Sequence, residues 1–248
     1  MYSQLPPSIL GNGADGRSFK WNPNRPQSLF TIPTHSCTYS AAFSPHSPNL
    51  LSSVSSDSHL RLFDLRTPSS ASNHLVVSIP IHSPQTPPFN LTGETIRQQS
   101  TAFPPNEALT HDWNKYRSTI VATAGVDRLI RTFDIRNPNV GPLVILQGHD
   151  YAVRKVAWSP HLSDTLLSAS YDMTCRVWTD GSAKAELGEG SAEMGISPNA
   201  GKELGRMGRH TEFVCGVDWC LFGAEGWAAS TGWDERVCIW DVREYMRQ

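Results

Sequence analysis

The sequence has 248 residues, of which 18% are charged, and its formal net charge is −2 at pH 7. This balance excludes the broad basic surface of a general nucleic-acid or acidic-membrane binder, so no nucleic-acid partner is predicted. The five cysteines are scattered without Cys-x-x-Cys spacing, which is typical of reduced thiols in the cytosol and predicts neither a disulfide framework nor a metal site.

The N-terminal residues 1–10 lack both the basic and the apolar region of a secretory signal. No stretch of the sequence reaches the length of a membrane span, so no direct membrane insertion is predicted. The sequence therefore predicts a soluble, intracellular protein.

One repeat recurs along the chain: an aspartate is followed six positions later by an aromatic residue. The pairs in chain order are Asp15–Trp21, Asp57–Phe63, Asp127–Phe133, Asp172–Trp178 and Asp234–Trp240. Between them apolar residues tend to alternate with polar ones, the period of a strand with one buried face. Successive aspartates lie 42, 70, 45 and 62 residues apart, and a basic period of roughly 40 to 45 with two insertions is typical of WD-repeat blades. The predicted fold is an all-β WD-repeat β-propeller.

The repeat divides the chain into blades and insertions. Residues 1–34 are predicted as the second half of a degenerate blade, 35–66 as a blade, 67–103 as a disordered loop insertion, 104–147 and 148–179 as blades, 180–208 as a second loop insertion, and 209–248 as the last blade and tail. The two insertions are rich in polar or small residues and carry no strand period. Because such a set does not close a ring, about two and a half N-terminal blades are predicted to be absent from this chain.

Two units contain residues that resemble the structural tetrad of WD blades, in which Asp accepts from His, His from a hydroxyl, and the hydroxyl from a Trp indole. The tetrads are His149, Ser168, Asp172 and Trp178, with Ser170 as the alternative hydroxyl, and His210, Ser230, Asp234 and Trp240. An indole N–H can only donate, so a buried Trp needs such an acceptor. The blade of Asp57 has His35 but Phe63, whose ring has no N–H, so its tetrad is predicted to be incomplete.

Ser, His and Asp also occur together in nucleophilic catalysis. Here they recur once per blade at structural spacing, whereas a hydrolase needs a single triad. The sequence therefore predicts no catalytic residue, no cofactor and no enzyme activity.

Propellers bind partners on the face where the inner strands begin and where the turns precede each aspartate. The candidate binding residues on that face are Glu107, Asp150, Arg154, Tyr171, Glu212, Phe213 and Trp233. The aromatic residues are of the type that carries binding energy, and the acids favour a basic partner. The alternatives are packing between blades for the aromatic residues and ordinary solvated charge for the acids.

Several segments are more specific than the generic repeat. They are HDWNKYR (111–117), GVDRLIRTFDIR (125–136), GHDYAVRKVAWSPH (148–161) and RHTEFVCGVDW (209–219). They closely resemble the peroxisomal type 2 targeting-signal receptor family, peroxin seven, whose members are seven-bladed WD-repeat proteins. The resemblance covers nearly the whole chain except the two predicted loops and places it on the C-terminal four and a half blades.

This resemblance implies a cytoplasmic cargo receptor that binds the N-terminal type 2 targeting signal of peroxisomal matrix proteins. With an import co-receptor it would deliver them to the peroxisomal docking complex, cycling between cytoplasm and peroxisome matrix. The family's signal carries a basic and an apolar residue and, after a short gap, His or Gln and another apolar residue, all on one face of a helix. Helix-in-groove docking is therefore implied, with Glu107, Asp150 or Glu212 meeting the basic residue and the aromatic residues meeting the apolar side. The alternative is a generic WD-repeat scaffold in another complex.

Overall fold

The computed structural model is almost entirely β and describes residues 9–13, 17–21, 30–67, 74–82, 106–183, 201–222 and 225–246. Its strands are β1 (Ile9–Gly13), β2 (Arg17–Trp21), β3 (Phe30–Pro33), β4 (Thr38–Ser44), β5 (Ser47–Ser55), β6 (His59–Asp64), β7 (Leu75–Pro80), β8 (Ala108–Trp113), β9 (Ile120–Gly125), β10 (Ile130–Asp134), β11 (Val144–Leu146), β12 (Val153–Trp158), β13 (Thr165–Ser170), β14 (Cys175–Thr179), β15 (Lys202–Met207), β16 (Val214–Trp219), β17 (Trp227–Gly232) and β18 (Val237–Asp241). A one-turn helix, α1 (Val242–Tyr245), follows β18.

The strands form five antiparallel sheets in chain order, which we number 1 (β1–β3), 2 (β4–β7), 3 (β8–β11), 4 (β12–β15) and 5 (β16–β18). Within each sheet, strands that are consecutive in sequence pair with one another. The first strand of one sheet packs against the first strand of the next, as β4 does on β8, β8 on β12 and β12 on β16. This succession of three- and four-stranded antiparallel meanders confirms the predicted all-β propeller.

The outer strands correct two sequence predictions. Strand β7 lies inside the predicted loop 67–103, and β15 lies inside the predicted loop 180–208. Neither prediction holds at these residues, because pairing with a buried neighbouring strand, rather than local pattern, makes each segment a strand. The remaining loop residues 68–73, 83–105 and 184–200 lie outside the described part of the chain, as does Asp15 between β1 and β2.

The core lies between consecutive sheets. In sheets 2, 3 and 4 the third strand buries the residues three and five positions after the repeat aspartate, all at most 1% exposed: Leu60, Leu62, Ile130, Thr132, Cys175 and Val177. The apolar clusters that contain the five apolar residues of this set each include a tryptophan from the first strand of the next sheet, namely Trp113, Trp158 and Trp219. Sheets 2, 3 and 4 are thus each stabilised by burial against the sheet that follows.

In sheet 4 the tetrad residues form one continuous chain of hydrogen bonds. The His149 Nδ1–Asp172 Oδ2 distance is 2.7 Å, the His149 Nε2–Ser168 Oγ distance is 2.6 Å, and the Trp178 indole donates to Ser168 Oγ at 2.7 Å. The alternative hydroxyl of Ser170 donates instead to backbone carbonyls. Burial pushes the pKa of the Asp172 carboxyl upward, but the hydrogen bond and charge of His149 hold that pKa below its ordinary value.

Sheet 5 repeats only part of this chain. His210 lies 2.9 Å from Asp234 and 2.9 Å from Ser230. The Trp240 indole N–H, however, finds no acceptor among the described residues, and its ring packs edge-on against Tyr245 at 5.5 Å. The hydrogen bond from Trp240 that would complete this tetrad is therefore not formed in this structure.

Sheets 2 and 3 satisfy their polar groups differently. His35 is exposed and Asp57 pairs with Arg61 at 3.1 Å, so the tetrad of sheet 2 is incomplete. Its hydroxyl, Ser52, is instead bonded by the next sheet: the Trp113 indole donates to it at 2.7 Å, and His111 Nε2 lies 2.7 Å away. The HDW motif therefore joins two sheets.

Sheet 3 has a histidine that the sequence reading missed. His82 lies 2.9 Å from Asp127 and 3.1 Å from the Thr123 hydroxyl, at the same positions as His149 relative to Asp172 and Ser168. The insertion after His82 hides this match in the sequence, because it places the histidine 45 positions before its aspartate. An alignment of the repeats that allowed a gap after His82 would find it.

Lowering the pH from 7.5 to 5 is expected to destabilise the fold, because buried histidines resist protonation. Burial lowers the pKa of His111 to about 3, and burial also lowers the pKa of His82 and His149 below its ordinary value. An unfolded histidine has a pKa of about 6.5, so below that pH the unfolded chain binds protons that the folded chain does not. His111 alone is expected to remove about 2 kcal/mol of unfolding free energy between pH 6.5 and 5, measured by urea denaturation.

The His111→Gln variant is the matched control. Its amide can still hydrogen-bond Ser52 but does not titrate, so its unfolding free energy should fall by about 2 kcal/mol less over the same range. Identical slopes for both proteins would contradict this assignment. Below the unfolded carboxyl pKa of about 3.9, both proteins should lose further stability, because the folded pKa of Asp127, Asp172 and Asp234 is lowered.

Candidate partner-binding face

Four equivalent turns join the second and third strands of sheets 2 to 5. In each, the residue after the repeat aspartate has a left-handed backbone, with φ between 61° and 68°: Ser58, Arg128, Met173 and Glu235. The residue before the aspartate donates its amide to a carbonyl at the start of the first strand: Ser56 to Cys37, Val126 to Glu107, Tyr171 to Ala152 and Trp233 to Phe213. The turns and strand starts therefore lie together at one face of the propeller.

A bulge recurs beside each turn. The pairing register of the first strand shifts by one residue at its second position in all four sheets. The bulged residues are Tyr39, Leu109, Arg154 and Cys215. Because a bulge re-aims the extra side chain, it directs these residues away from the regular pleat. We call the surface of turns, strand starts and bulges the turn face.

Three of the predicted aromatic residues form a cluster on the turn face, where sheets 4 and 5 meet. The ring centroids of Tyr171 and Phe213 are 4.9 Å apart, those of Phe213 and Trp233 are 5.2 Å apart, and those of Tyr171 and Trp233 are 6.3 Å apart. Trp233 is nevertheless 64% exposed. The cluster therefore packs two sheets together and also presents a large aromatic surface to solvent.

Glu107 lies where sheets 2 and 3 meet. The Tyr39 hydroxyl donates to its Oε2 atom at 3.0 Å. Burial, reinforced by the hydrogen bond to Glu107 and its charge, raises the pKa of Tyr39 to about 12. A Cβ atom on Gly125 would lie 2.1 Å from the Glu107 carbonyl oxygen, so glycine permits the close approach of the turn. Sequence reasoning missed this bond, because Tyr39 and Glu107 are 68 positions apart and no local pattern connects them.

The other predicted charged residues are held less firmly. The Asp150 carboxylate is 78% exposed and lies 3.9 Å from the buried Arg176, which also bonds Asp172. Glu212 is exposed, and within the described ranges it has no hydrogen bond or ion pair to its side chain. Arg154 is half-buried and likewise lacks a carboxylate partner in the part of the chain that the structure describes.

The turn face thus has a graded chemistry. The Glu107 carboxylate lies where sheets 2 and 3 meet, Arg154 lies on sheet 4, and the aromatic cluster lies where sheets 4 and 5 meet. Among the described residues, no group of three or more His, Cys, Asp or Glu is placed to hold a metal ion, and no helix is long and apolar enough to cross a membrane. The turn face therefore offers a carboxylate to a basic group and an aromatic surface to an apolar group.

The family described as WD domain, G-beta repeat matches residues 26–64, 141–179 and 201–241. Each matched range begins just before the outer strand of one sheet and ends with the third strand of the next. The sequence repeat and the structural sheet are therefore offset by one strand, as expected of a propeller whose blades are linked through their outer strands.

Curated relatives extend over most of the chain. It is 34% identical over 283 residues to the peroxisomal targeting signal 2 receptor of Saccharomyces cerevisiae, which covers 94% of this chain and 68% of the relative. A protein of the same name from Komagataella phaffii is 39% identical over 217 residues, covering 84% and 50%. That of Schizosaccharomyces pombe is 31% identical over 236 residues, covering 94% and 61%. The chain thus spans between half and about two thirds of these relatives.

Proposed function

This chain belongs to the family of peroxisomal targeting signal 2 receptors, and we propose that it binds the N-terminal type 2 targeting signal of peroxisomal matrix proteins on its turn face. The observation that carries the proposal is the 34% identity to the S. cerevisiae receptor over 94% of this chain. Transfer of cargo to the peroxisome with a co-receptor and a docking complex, and cycling between cytoplasm and peroxisome, belong to the same proposal.

The aromatic cluster supplies the apolar part of the proposed site. An amphipathic helix docks by placing its apolar residues against a groove, and rigid aromatic anchors carry most of the energy of such contacts. Tyr171, Phe213 and Trp233 are already packed against one another, so little side-chain entropy remains to be lost on binding. We assign the apolar face of the signal helix to this cluster.

Glu107 is the preferred partner for the basic residue of the signal. Its carboxylate is half-buried and fixed by Tyr39, so a charge-assisted bond to it is less screened by water than one to an exposed acid. Asp150 and Glu212 are exposed, and ion pairs at such positions contribute about 0 to 1 kcal/mol. Arg154, a cation on the same face, repels a basic residue and so favours its placement at Glu107.

Charge reversal tests this assignment. We expect the Glu107→Lys variant to bind a fluorescent signal peptide about tenfold or more weakly, with co-receptor present, while Asp150→Lys and Glu212→Lys change affinity by about threefold or less. Fluorescence anisotropy gives the dissociation constants. A peptide whose basic residue is replaced by Glu should regain affinity for Glu107→Lys relative to wild type.

Two outcomes would count against the proposal. Unchanged affinity in all three variants would remove the acids from the site, although not the receptor function. Failure of the folded wild-type chain to prefer the signal peptide over its charge-reversed control would favour a generic WD-repeat scaffold. Circular dichroism on every variant shows whether the fold is intact.

A further inference from the structure

The end of the propeller opposite the turn face is formed by the loops that join first and second strands and by the residues that follow third strands. We call this surface the loop face. In sheets 3 and 4 the loops between first and second strands are 114–119 and 159–164. The HDWNKYR segment runs from β8 into the first of these loops, so its second half lies on the loop face. Signal binding on the turn face gives this half of the segment no role.

The loop after β8 is held firmly by its own turn and by sheet 4. The buried Asn114 accepts the backbone amides of Tyr116 and Arg117 on its Oδ1 atom, at 2.9 and 2.8 Å. The Asn114 Nδ2 atom donates to the Ser163 carbonyl at 2.8 Å. Arg117 pairs with the buried Asp180, which follows β14. The loop is therefore ordered before any partner binds, and little of its freedom remains to be lost on binding.

Tyr116 presents an aromatic ring on this ordered loop. Its hydroxyl donates to the Pro160 carbonyl at 2.7 Å, so the polar end of the side chain already has a partner. Tyr116 is nevertheless 51% exposed. Two further exposed apolar residues lie on the loop face of sheets 3 and 4, namely Leu162, two positions after Pro160, and Val140, in the loop after β10. A ring that is fixed at its polar end and open to solvent is the type of side chain that anchors a partner.

Arg136 directs hydrogen-bond donors to solvent beside this loop. The Ile135 amide donates to the Thr119 carbonyl at 3.0 Å, which joins the residues after β10 to the loop of Tyr116. Arg136 holds Asp134 through its Nε and Nη2 atoms, and its side chain is 68% exposed whereas that of Asp134 is 9% exposed. The Nη1 atom of Arg136 has no partner among the described residues.

Lys115 repeats this arrangement next to Tyr116. Its Nζ atom lies 2.8 Å from Asp112 Oδ1, and the lysine side chain is the more exposed of the two, at 34% against 18%. Each pair is neutral, but in both pairs the cation lies outside its carboxylate. The hydrogen-bond donors that remain available to solvent therefore favour a carboxylate from a partner.

We propose that the loop face of sheets 3 and 4 docks a linear segment of a partner protein in which acidic residues flank an apolar one. The apolar residue packs on the ring of Tyr116, and the acidic residues accept hydrogen bonds from Arg136 and Lys115. Charge complementarity selects an acidic segment over a basic one, the reverse of the preference expected at Glu107. Because the two faces lie at opposite ends of the strands, this docking leaves the turn face free for a targeting signal.

The test selects peptides from a phage-displayed library of random linear sequences on the immobilised 248-residue chain. The library is first cleared on the Tyr116→Ala variant, which keeps the turn face and so removes peptides that bind there. The expected result is enrichment of peptides in which Asp or Glu is adjacent to Leu, Phe or Trp.

Fluorescence anisotropy with one enriched peptide then measures each contribution. Tyr116→Ala should weaken binding about tenfold or more, whereas Tyr116→Phe, which keeps the ring, should weaken it by about threefold or less. Arg136→Gln should weaken binding about threefold. Arg66→Gln is the matched control and should leave binding unchanged, because Arg66 holds Asp64 in the same way on sheet 2 and its side chain is 71% exposed. Circular dichroism shows whether each variant is folded.

The proposal is overturned if no peptide is enriched on the wild-type chain, or if the enriched peptides are basic or carry no acidic residue. It is also overturned if Trp233→Ala weakens binding as much as Tyr116→Ala, since the peptide would then occupy the turn face. A dimer of the chain, detected by sedimentation and abolished by Tyr116→Ala, would assign the loop face to a second copy instead. None of these measurements uses a targeting signal, so their outcome is independent of the proposed function.

Discussion

The Asp172→Ala variant is expected to lose about 3 to 5 kcal/mol of unfolding free energy at pH 7.5, because it leaves the buried His149 without its acceptor and removes one of the carboxylates that bond the buried Arg176. The Asp172 side chain is 4% exposed and lies 2.7 Å from His149 and 3.2 Å from Arg176. Arg176 is 1% exposed and would retain Glu203 at 2.8 Å. Urea denaturation followed by tryptophan fluorescence measures the loss, which is a large share of a typical domain's stability.

The Asp57→Ala variant is the matched control. Asp57 occupies the same turn position in sheet 2, but its carboxylate is 32% exposed and pairs with Arg61 rather than with a buried histidine. Removing it is expected to cost about 1 kcal/mol or less. Equal losses in the two variants would show that the turn itself, and not the buried network, carries the stabilisation.

The repeat could be predicted from the sequence because the turn geometry that fixes it involves only a few consecutive residues. The turn requires the residue after the aspartate to be left-handed and the third strand to begin directly afterwards, so the spacing from Asp172 to Trp178 is fixed by backbone geometry. The same logic placed Tyr171 and Trp233 before their aspartates, where the structure brings them to the turn face.

The sequence pattern could not predict the contacts between sheets. Ser52 is bonded by His111 and Trp113, which lie 59 and 61 residues away in the next sheet. Strands β7 and β15 have weak apolar alternation and gain their structure from pairing with β6 and β14. Tertiary contacts make these two segments strands, and local strand propensity does not reveal such contacts.

The candidate site also has features that the sequence predicted and features that depend on contacts between distant residues. Blade register identified Glu107, Asp150 and Glu212 as acids of one face, without ranking them. Only the bond from Tyr39, whose position 68 residues before Glu107 carries no local signal, distinguishes Glu107 as the restrained carboxylate. Local sequence therefore indicates which residues lie on the turn face, whereas how strongly a carboxylate attracts a basic group depends on its neighbours in space.

The Trp233→Ala variant is expected to bind the signal peptide about 30-fold more weakly, since truncating an aromatic anchor costs about 2 kcal/mol or more. Trp233 combines 64% exposure with ring contacts to Phe213 and Tyr171, so the indole is available to a ligand and rigidly held. Anisotropy titration with the labelled peptide and co-receptor measures the change. The exposure of Trp233 also means that its removal should alter stability by about 1 kcal/mol or less.

Tyr116 provides the matched comparison for that experiment. It is 51% exposed, lies in the loop between β8 and β9 rather than on the turn face, and donates its hydroxyl to the Pro160 carbonyl. Tyr116→Ala should leave peptide affinity within about twofold of wild type. If both variants weaken binding equally, the loss reflects altered sheet packing, and the aromatic cluster serves only to pack sheets 4 and 5 together. A loss of affinity confined to Trp233→Ala would instead assign the apolar side of the signal helix to the aromatic cluster between sheets 4 and 5.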